Sequence, residues 1–314
     1  MGVIVGLCGG GFPDVRRALE RAMPGAQIVV VDMDDPGKVD VLVPMSGNVD
    51  AVLMERACPR LIQQFGVGLQ GVDVDAARKR RIPVACLPGG DTGNAAAVAE
   101  IAVLHLLVLL RRFAATQRSI SQRLLGQPIG TTLVGKTVTV LGVGAIGTEV
   151  AARLGSFGAE VLGVGRSAHH DQPSRVRSLA ADRYFLSGDL LEPLAQSLAL
   201  VVCCPLTEET RGMVGAPELA AMPPGGYLIN VSRGPVVERA ALLSALRRGH
   251  LAGAGLDVTW EEPVDPDDEL LAENVSITPH VGGVTHESYA AMAGAFAANV
   301  ARLDGDEPLR GLVS

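Results

Sequence analysis

The chain has 314 residues, 48% of them hydrophobic, which suggests about two domains, each with a sizeable core. A formal charge of −7 and a pI near 5.4 argue against a nucleic-acid partner or an anionic membrane surface. No stretch reaches ~18 uninterrupted apolar residues, and no basic region precedes the short apolar run at the N-terminus, so neither a membrane span nor a secretion signal is expected.

In chain order, strand and helix patterns alternate almost throughout, the sign of parallel sheets with crossover helices. Aromatics make up only 3% of the chain, so the cores must be built from Ala, Val, Leu and Ile. Residues 1–93 read as a smaller α/β unit with strands near Val3–Leu7, Ile28–Val31, Val39–Val43 and Leu61–Phe65. Its opening, Gly2 to Leu7 and then Gly9-Gly10-Gly11-Phe12-Pro13, imitates a nucleotide loop. The glycine spacing does not match, and it reads as an ordinary βα turn. A long helix from Asn94 to about Thr116 is apolar on most of its circumference, and Arg118–Thr132 follows as an arm with no core of its own. Within that helix, Ile101–Leu110 is broken by His105 and closed by Arg111-Arg112, so it reads as buried.

Gly130–Gly135 leads into a second unit. There Thr137–Leu141 reads as a buried strand, followed by Gly142-Val143-Gly144-Ala145-Ile146-Gly147 and a helical pattern, Thr148–Phe157, with Val150, Leu154 and Phe157 on one face. Strand, G-x-G-x-x-G and helix in that order form a dinucleotide fingerprint. Gly142 permits the tight turn, Gly144 lets backbone approach a pyrophosphate, and Gly147 lets the helix pack closely. The helix N-terminus adds N–H donors. The next strand, Val161–Val164, ends in Gly165-Arg166-Ser167. An acidic residue normally stands about 20 residues beyond the glycines to bind the ribose of NAD. Gly165 and Arg166 stand there instead, which favours the 2′-phosphate of NADP; Ser167 adds a hydroxyl, and His169, His170 or Arg175 could contribute.

Toward the C-terminus come Asn230-Val231-Ser232-Arg233-Gly234 after the strand Tyr227–Val231, then Asp257-Val258 leading to Glu262-Pro263, then Thr278-Pro279-His280. An arginine can grip a carboxylate and polarise the neighbouring carbonyl. A histidine can give or take the oxygen-bound proton near neutral pH, and a glutamate can orient the imidazole. His105, His250 and His286 read better as satisfied structural histidines. Five cysteines (Cys8, Cys58, Cys86, Cys203, Cys204) lack C-x-x-C spacing and sit in or beside apolar runs, as reduced core thiols of a cytoplasmic protein would. No metal site is expected.

Taken together, these motifs resemble the D-isomer-specific 2-hydroxyacid dehydrogenase family. Further matching stretches are Gln64–Gly68 with Gly71-Val72-Asp73, Asn94–Glu100, Pro205-Leu206-Thr207 with Thr210-Arg211-Gly212, and Gly249–Gly253. The resemblance covers nearly the whole chain. It implies an α/β architecture of two doubly wound parallel-sheet domains: a Rossmann NAD(P)-binding domain, residues 94–284, inserted into a flavodoxin-like substrate domain, residues 1–93 plus 285–314. The chain stops soon after its last helix, so the C-terminal regulatory domains of some phosphoglycerate dehydrogenases are expected to be absent.

The resemblance assigns catalysis to Arg233, Glu262 and His280. Arg233 would hold the substrate with the N–H groups of Val67 and Gly68. The cofactor would lie against Val98, Gly142, Gly144, Ala145, Ile146, Gly147, Arg166, Ser167, Cys204, Pro205, Thr210, Val231, Ser232, Asp257, Gly282 and Gly283. Asp257 would take the nicotinamide carboxamide, although a helix or turn cap is its alternative. Formate dehydrogenases carry glutamine where Glu262 stands, so formate is disfavoured. The uncharged residues Met45, Ser46, Val67 and Leu69 favour glyoxylate, hydroxypyruvate or a short branched ketoacid over 3-phosphoglycerate. A cytoplasmic homodimeric reductase preferring NADP over NAD is the reading; a nucleotide-sensing corepressor on the same scaffold is the alternative.

Overall fold

The computed structural model describes residues 2–10, 12–87, 90, 92–166 and 183–313. They cluster into two compact units, Met1–Asn94 with Val284–Ser314, and Ala95–Gly283. Asn94 and Val284, expected at the two ends of the second unit, fall in the first.

The first unit opens with β1 (Ile4–Cys8), α1 (Pro13–Ala22), β2 (Gln27–Val31), β3 (Val41–Pro44), α2 (Ala51–Ala57), β4 (Leu61–Gln63), α3 (Val74–Lys79) and β5 (Val84–Ala85). Its sheet is parallel in the order β2-β1-β3-β4-β5, the flavodoxin-like winding. Strands buried on both faces need near-continuous apolar runs, and Val41–Pro44 is buried at every position. The two-residue β5 is too short to show a period in the sequence; it is held by pairing with β4 and an antiparallel bridge to Leu312. Cys58 corrects the expectation of core thiols. It is exposed at the left-handed C-cap of α2, with its sulfur 2.8 Å from Lys38 Nζ.

The second unit begins with α4 (Asn94–Leu110) and α5 (Phe113–Ser121). The single helix expected to run to Thr116 is broken, because Arg112 is left-handed and α5 bends away by 51°. Among the described residues no single helix is long and apolar enough to cross a membrane; only this bent pair passes together. Then follow β6 (Thr137–Leu141), α6 (Ala145–Ser156), β7 (Glu160–Gly165), β8 (Arg183–Leu186), α7 (Leu191–Leu194), β9 (Ala199–Val202), α8 (Ala216–Ala221), β10 (Gly226–Asn230), α9 (Arg239–Arg247), β11 (Leu251–Leu256) and β12 (Val275–Ile277). All pair in parallel, in the order β12-β11-β10-β9-β6-β7-β8. The winding reverses between β6 and β9, the place where doubly wound sheets bind ligands beyond the carboxyl ends of their strands. Val150 and Leu154 of α6 join the core as expected, but Phe157 does not: the helix ends at Ser156 and the ring is 45% exposed.

The chain finishes in the first unit as α10 (His286–Asp304), capped by Thr285 Oγ1 accepting from the Ser288 N–H. Its Met292, Phe296 and Val300 complete one apolar core with Val5, Val41 and Val43. A buried amide pair, Asn299 Nδ2 donating to Gln63 Oε1 at 2.7 Å, fixes α10 against β4.

Candidate functional site

Six of the expected functional stretches of the second unit lie just past the carboxyl ends of its strands, whereas Val98 sits within α4. Gly142–Gly147 follows β6, Arg166 follows β7, Cys203-Cys204-Pro205 follows β9, Arg233 follows β10, Asp257 follows β11 and His280 follows β12. Parallel pairing therefore gathers onto one edge residues scattered over more than a hundred positions of sequence.

The glycine loop has the shape its spacing implies. Gly142 is left-handed at φ +95, and a Cβ on it would meet Cys204 Cα at 2.6 Å. A Cβ on Gly147 would collide with the Gly142 carbonyl, so only glycine lets α6 pack this closely. Gly144, by contrast, faces open space, with nothing within 4 Å of a Cβ. It caps α6 without a side-chain hydrogen bond, so no cap side chain takes up the first-turn N–H donors of the helix. A bare helix N-terminus beside an uncrowded glycine fits a pyrophosphate.

On β10, β11 and β12 the chemistry-bearing side chains converge. Nδ1 of His280 lies 2.7 Å from Glu262 Oε2, while Glu262 Oε1 accepts from the Thr259 N–H at 3.1 Å. A carboxylate only accepts, so the proton of this bond sits on Nδ1. Burial pushes the Glu262 carboxyl up, but the hydrogen bond and charge of His280, the Thr259 N–H and Arg233 together hold it below the usual glutamate range. Arg233 is half-buried, and its Nη1 donates to the Ser232 carbonyl at 2.7 Å. Burial pulls its pKa down, opposed by the charges of Glu262 and Asp257. A guanidinium remains protonated in any protein site, so the result is a fixed cation beside an oriented imidazole.

Local structure explains how these groups are aimed. Asn230 is fully buried; its Oδ1 accepts from the Ser232 N–H and hydroxyl, and its Nδ2 donates to the Arg233 carbonyl at 2.9 Å. The next residue, Gly234, abuts the Thr259–Trp260 backbone more closely than any Cβ would allow. That contact seats the arginine loop against the turn bearing Glu262. His280 itself is left-handed at φ 54, a conformation that costs a non-glycine residue ~1–3 kcal/mol and persists only when its surroundings enforce it. Asp257, 3% exposed, does the enforcing. Its carbonyl accepts from the His280 N–H at 2.8 Å. Its carboxylate accepts from Val281 N–H at 2.9 Å, Gly282 N–H at 2.8 Å and the Thr278 hydroxyl at 2.6 Å. The turn-capping alternative for Asp257 thus describes what its side chain does in this structure.

A family model described as D-isomer specific 2-hydroxyacid dehydrogenase, NAD binding domain, matches residues 103–282. The chain belongs to that family. It is 35% identical over 275 residues to a glyoxylate reductase of Thermococcus litoralis, covering 84% of this chain and 80% of that protein. Among solved structures it is similar to the NADPH-dependent glyoxylate/hydroxypyruvate reductase of Sinorhizobium meliloti in complex with NADP and malonate. That match has 29% identity and a TM-score of 0.82 over 100% of this chain and 97% of that one. A D-isomer specific 2-hydroxyacid dehydrogenase of Xanthobacter autotrophicus in complex with NADPH and MES aligns at 29% identity, with a TM-score of 0.76 over 100% and 98% of the two chains.

The remaining residues singled out by the family resemblance fall into four groups. Val98, Val231, Cys204 and Gly282 are buried, Gly283 is half-buried, and Pro205 is exposed. A Cβ on Gly282 would meet Asp257 Oδ2 at 2.6 Å and Val98 at 3.4 Å, so these three pack together. The hydroxyls of Ser232 and Thr210 shape their own loops, Thr210 donating to the Pro205 carbonyl at 2.6 Å. In the first unit, Val67 is exposed, and the Gln64 amide donates to the Gly68 carbonyl at 2.6 Å. Ser167, His169, His170 and Arg175 lie outside the described residues.

Arg166 is exposed, 3.9 Å from Glu209. Its neighbour Gly165 holds what sequence reading missed: a Cβ there would land on the Tyr184 hydroxyl, so the glycine makes room for a tyrosine from β8. Tyr184 and His105 are contributors that no local motif announces.

Proposed function

We propose that this protein is a reductase of small 2-ketoacids, producing D-2-hydroxyacids at the expense of a nicotinamide cofactor and preferring NADPH. The observation that carries the reading is the 2.7 Å His280–Glu262 pair beside a half-buried Arg233, on adjacent strand ends of a doubly wound sheet. Bound at the glycine loop, the cofactor would supply the hydride that adds to the carbonyl carbon. Arg233 would grip the substrate carboxylate in a two-point fork and polarise the adjacent carbonyl. His280, its Nδ1–H held by Glu262, would deliver the proton on Nε2 to the carbonyl oxygen. The Glu262 carboxylate would stabilise the imidazolium before that transfer and keep the ring aimed during it. The N–H groups of Val67 and Gly68 are proposed as further donors to the substrate carboxylate.

Glyoxylate and hydroxypyruvate are the favoured substrates, supported by the names of the relatives above and by the uncharged Met45, Ser46, Val67 and Leu69. A panel of 2-ketoacids incubated with NADPH, followed by loss of reduced-nicotinamide absorbance, tests the reading. Turnover of glyoxylate or hydroxypyruvate is expected. NADPH binding without turnover of any ketoacid would overturn it in favour of a nucleotide sensor.

The two glycines of the loop separate cofactor binding from folding. Gly144→Val, entering open space at an ordinary φ of −88, should leave the melting temperature near the parent's while weakening NADPH binding. Gly147→Ala should destabilise the protein itself by ~1–3 kcal/mol, because its methyl group meets the Gly142 carbonyl. Calorimetry with and without NADPH reads both, and a Gly144→Val protein that binds NADPH normally would remove the loop from the site.

We also propose a homodimer formed through the arm after α4. Leu125 and Ile129 are 97% and 86% exposed, and Phe113 and Ile120 lie open nearby. Apolar side chains concentrated on one segment mark an association surface. Light scattering at micromolar concentration should give a dimer, and Leu125→Glu/Ile129→Glu should give a monomer; a monomeric parent would contradict the assignment. The five free cysteines, Cys8 and Cys204 pushed up to about 12 and about 11 by burial, suit a reducing cytoplasmic setting.

A further inference from the structure

The helix α4 is apolar along its buried side except at one residue. His105 is 1% exposed, among Ala102, Leu106 and Leu109. A buried imidazole is costly unless both ring nitrogens are satisfied, and here both are. Nδ1 is 2.8 Å from Ser276 Oγ, and Nε2 is 3.0 Å from Thr278 Oγ1. The seat is shaped for it: a Cβ on Gly255 of β11 would come within 2.5 Å of His105 Cβ.

The direction of these bonds follows from the last link. Thr278 Oγ1 lies 2.6 Å from Asp257 Oδ1, and a carboxylate can only accept, so the single threonine hydrogen goes there. Thr278 Oγ1 must then accept from His105, which fixes the Nε2–H tautomer and leaves Nδ1 to accept from Ser276. Burial lowers the pKa of the imidazole, against the charge of Asp257. One polar chain therefore runs from Ser276 through His105 and Thr278 to Asp257. That carboxylate receives the N–H groups of Val281 and Gly282, immediately after the left-handed His280.

We propose that His105 is a positioning residue: through the Thr278 hydroxyl it sets the orientation of the Asp257 carboxylate, and thereby holds the turn that aims the His280 imidazole. The inference rests on the ketoacid-reductase reading above. It gives a function to a histidine that the chemistry itself never touches. Misplacement of a reacting group by about 1 Å from a remote change costs up to about a hundredfold in rate.

The test compares His105→Leu, His105→Gln and Thr278→Val in ketoacid reduction with NADPH. His105→Leu removes both hydrogen bonds, whereas His105→Gln can still donate to Thr278. Thr278→Val breaks the link while leaving the imidazole in place. For His105→Leu and Thr278→Val, kcat should fall about ten- to a hundredfold, with KM for ketoacid and the Kd for NADPH nearly unchanged. His105→Gln should recover most of the rate. Combining His105→Leu with Thr278→Val should cost little beyond either alone, since both cut one chain. A folded Thr278→Val protein with parental kcat would overturn the proposal, whatever the fate of His105→Leu. So would equal losses in the Leu and Gln variants, or an effect confined to KM or melting temperature. A parent protein inactive on every ketoacid would instead sink the reductase reading and this proposal with it.

Discussion

His280→Asn should slow ketoacid reduction by ~10²–10⁴-fold, the usual cost of removing a general acid, with NADPH affinity nearly unchanged. Asparagine is the informative replacement because it tolerates the left-handed backbone that His280 adopts at φ 54. Its amide can also still reach toward Glu262, whose oxygens lie 2.7 Å from Nδ1 and 3.1 Å from the Thr259 N–H. The turn clamped by Asp257 should therefore survive, and only the titrating group is lost. Pre-steady-state and steady-state rates, measured beside an NADPH titration, separate the two. A variant that turns over near the parental rate would remove His280 from the mechanism.

Cofactor choice carries the second large effect. The parent should prefer NADPH to NADH by at least about tenfold, since hydrogen bonds to a charged group contribute ~1.5–3 kcal/mol. The 2′-phosphate carries close to two negative charges, and the end of β7 offers it Arg166 and no carboxylate of its own. Arg166→Ala should bring kcat/KM for NADPH down toward that for NADH. Restoring an acid at position 165 requires a partner change, because its Cβ would fall on the Tyr184 hydroxyl. Gly165→Asp with Tyr184→Ala and Arg166→Ala should favour NADH. Glu209, 3.9 Å from Arg166, is an exposed partner that a phosphate would outcompete. A parent preferring NADH, or an Arg166→Ala variant that keeps its NADPH preference, would show the loop to have been misread.

The glycine loop, the strands around it and the Arg233, Glu262 and His280 stretches were legible because each is a local pattern. A β-branched run, a fixed glycine spacing or a strand-end motif occupies only a few consecutive residues. What escaped was set by contacts between distant segments. His105 and Thr278 are 173 residues apart, so nothing near either announces the bond between them. Gly165 reads as a missing carboxylate; the structure shows it is also a vacancy for the Tyr184 ring of the neighbouring strand. The apolar helix expected through Thr116 stops at Leu110 because Arg112 turns left-handed, which hydrophobic periodicity cannot register. Cys58 looked like a core thiol from its apolar neighbours and is instead an exposed helix cap. Asn230 stood inside a quoted motif, yet its task of bracing the Arg233 loop needs the three hydrogen bonds the folded loop supplies.

The central claim is that hydride passes to C2 of a ketoacid at the site built around Arg233, Glu262 and His280. The most direct test is isotope transfer. NADPH deuterated at both C4 positions is incubated with glyoxylate or hydroxypyruvate and the protein, and the product is analysed by mass spectrometry and chiral chromatography. The expected result is a 2-hydroxyacid carrying deuterium at C2, formed as the D isomer where C2 is a stereocentre, and strongly reduced with His280→Asn. Product without deuterium, or no product from either ketoacid while NADPH remains bound, would contradict the account.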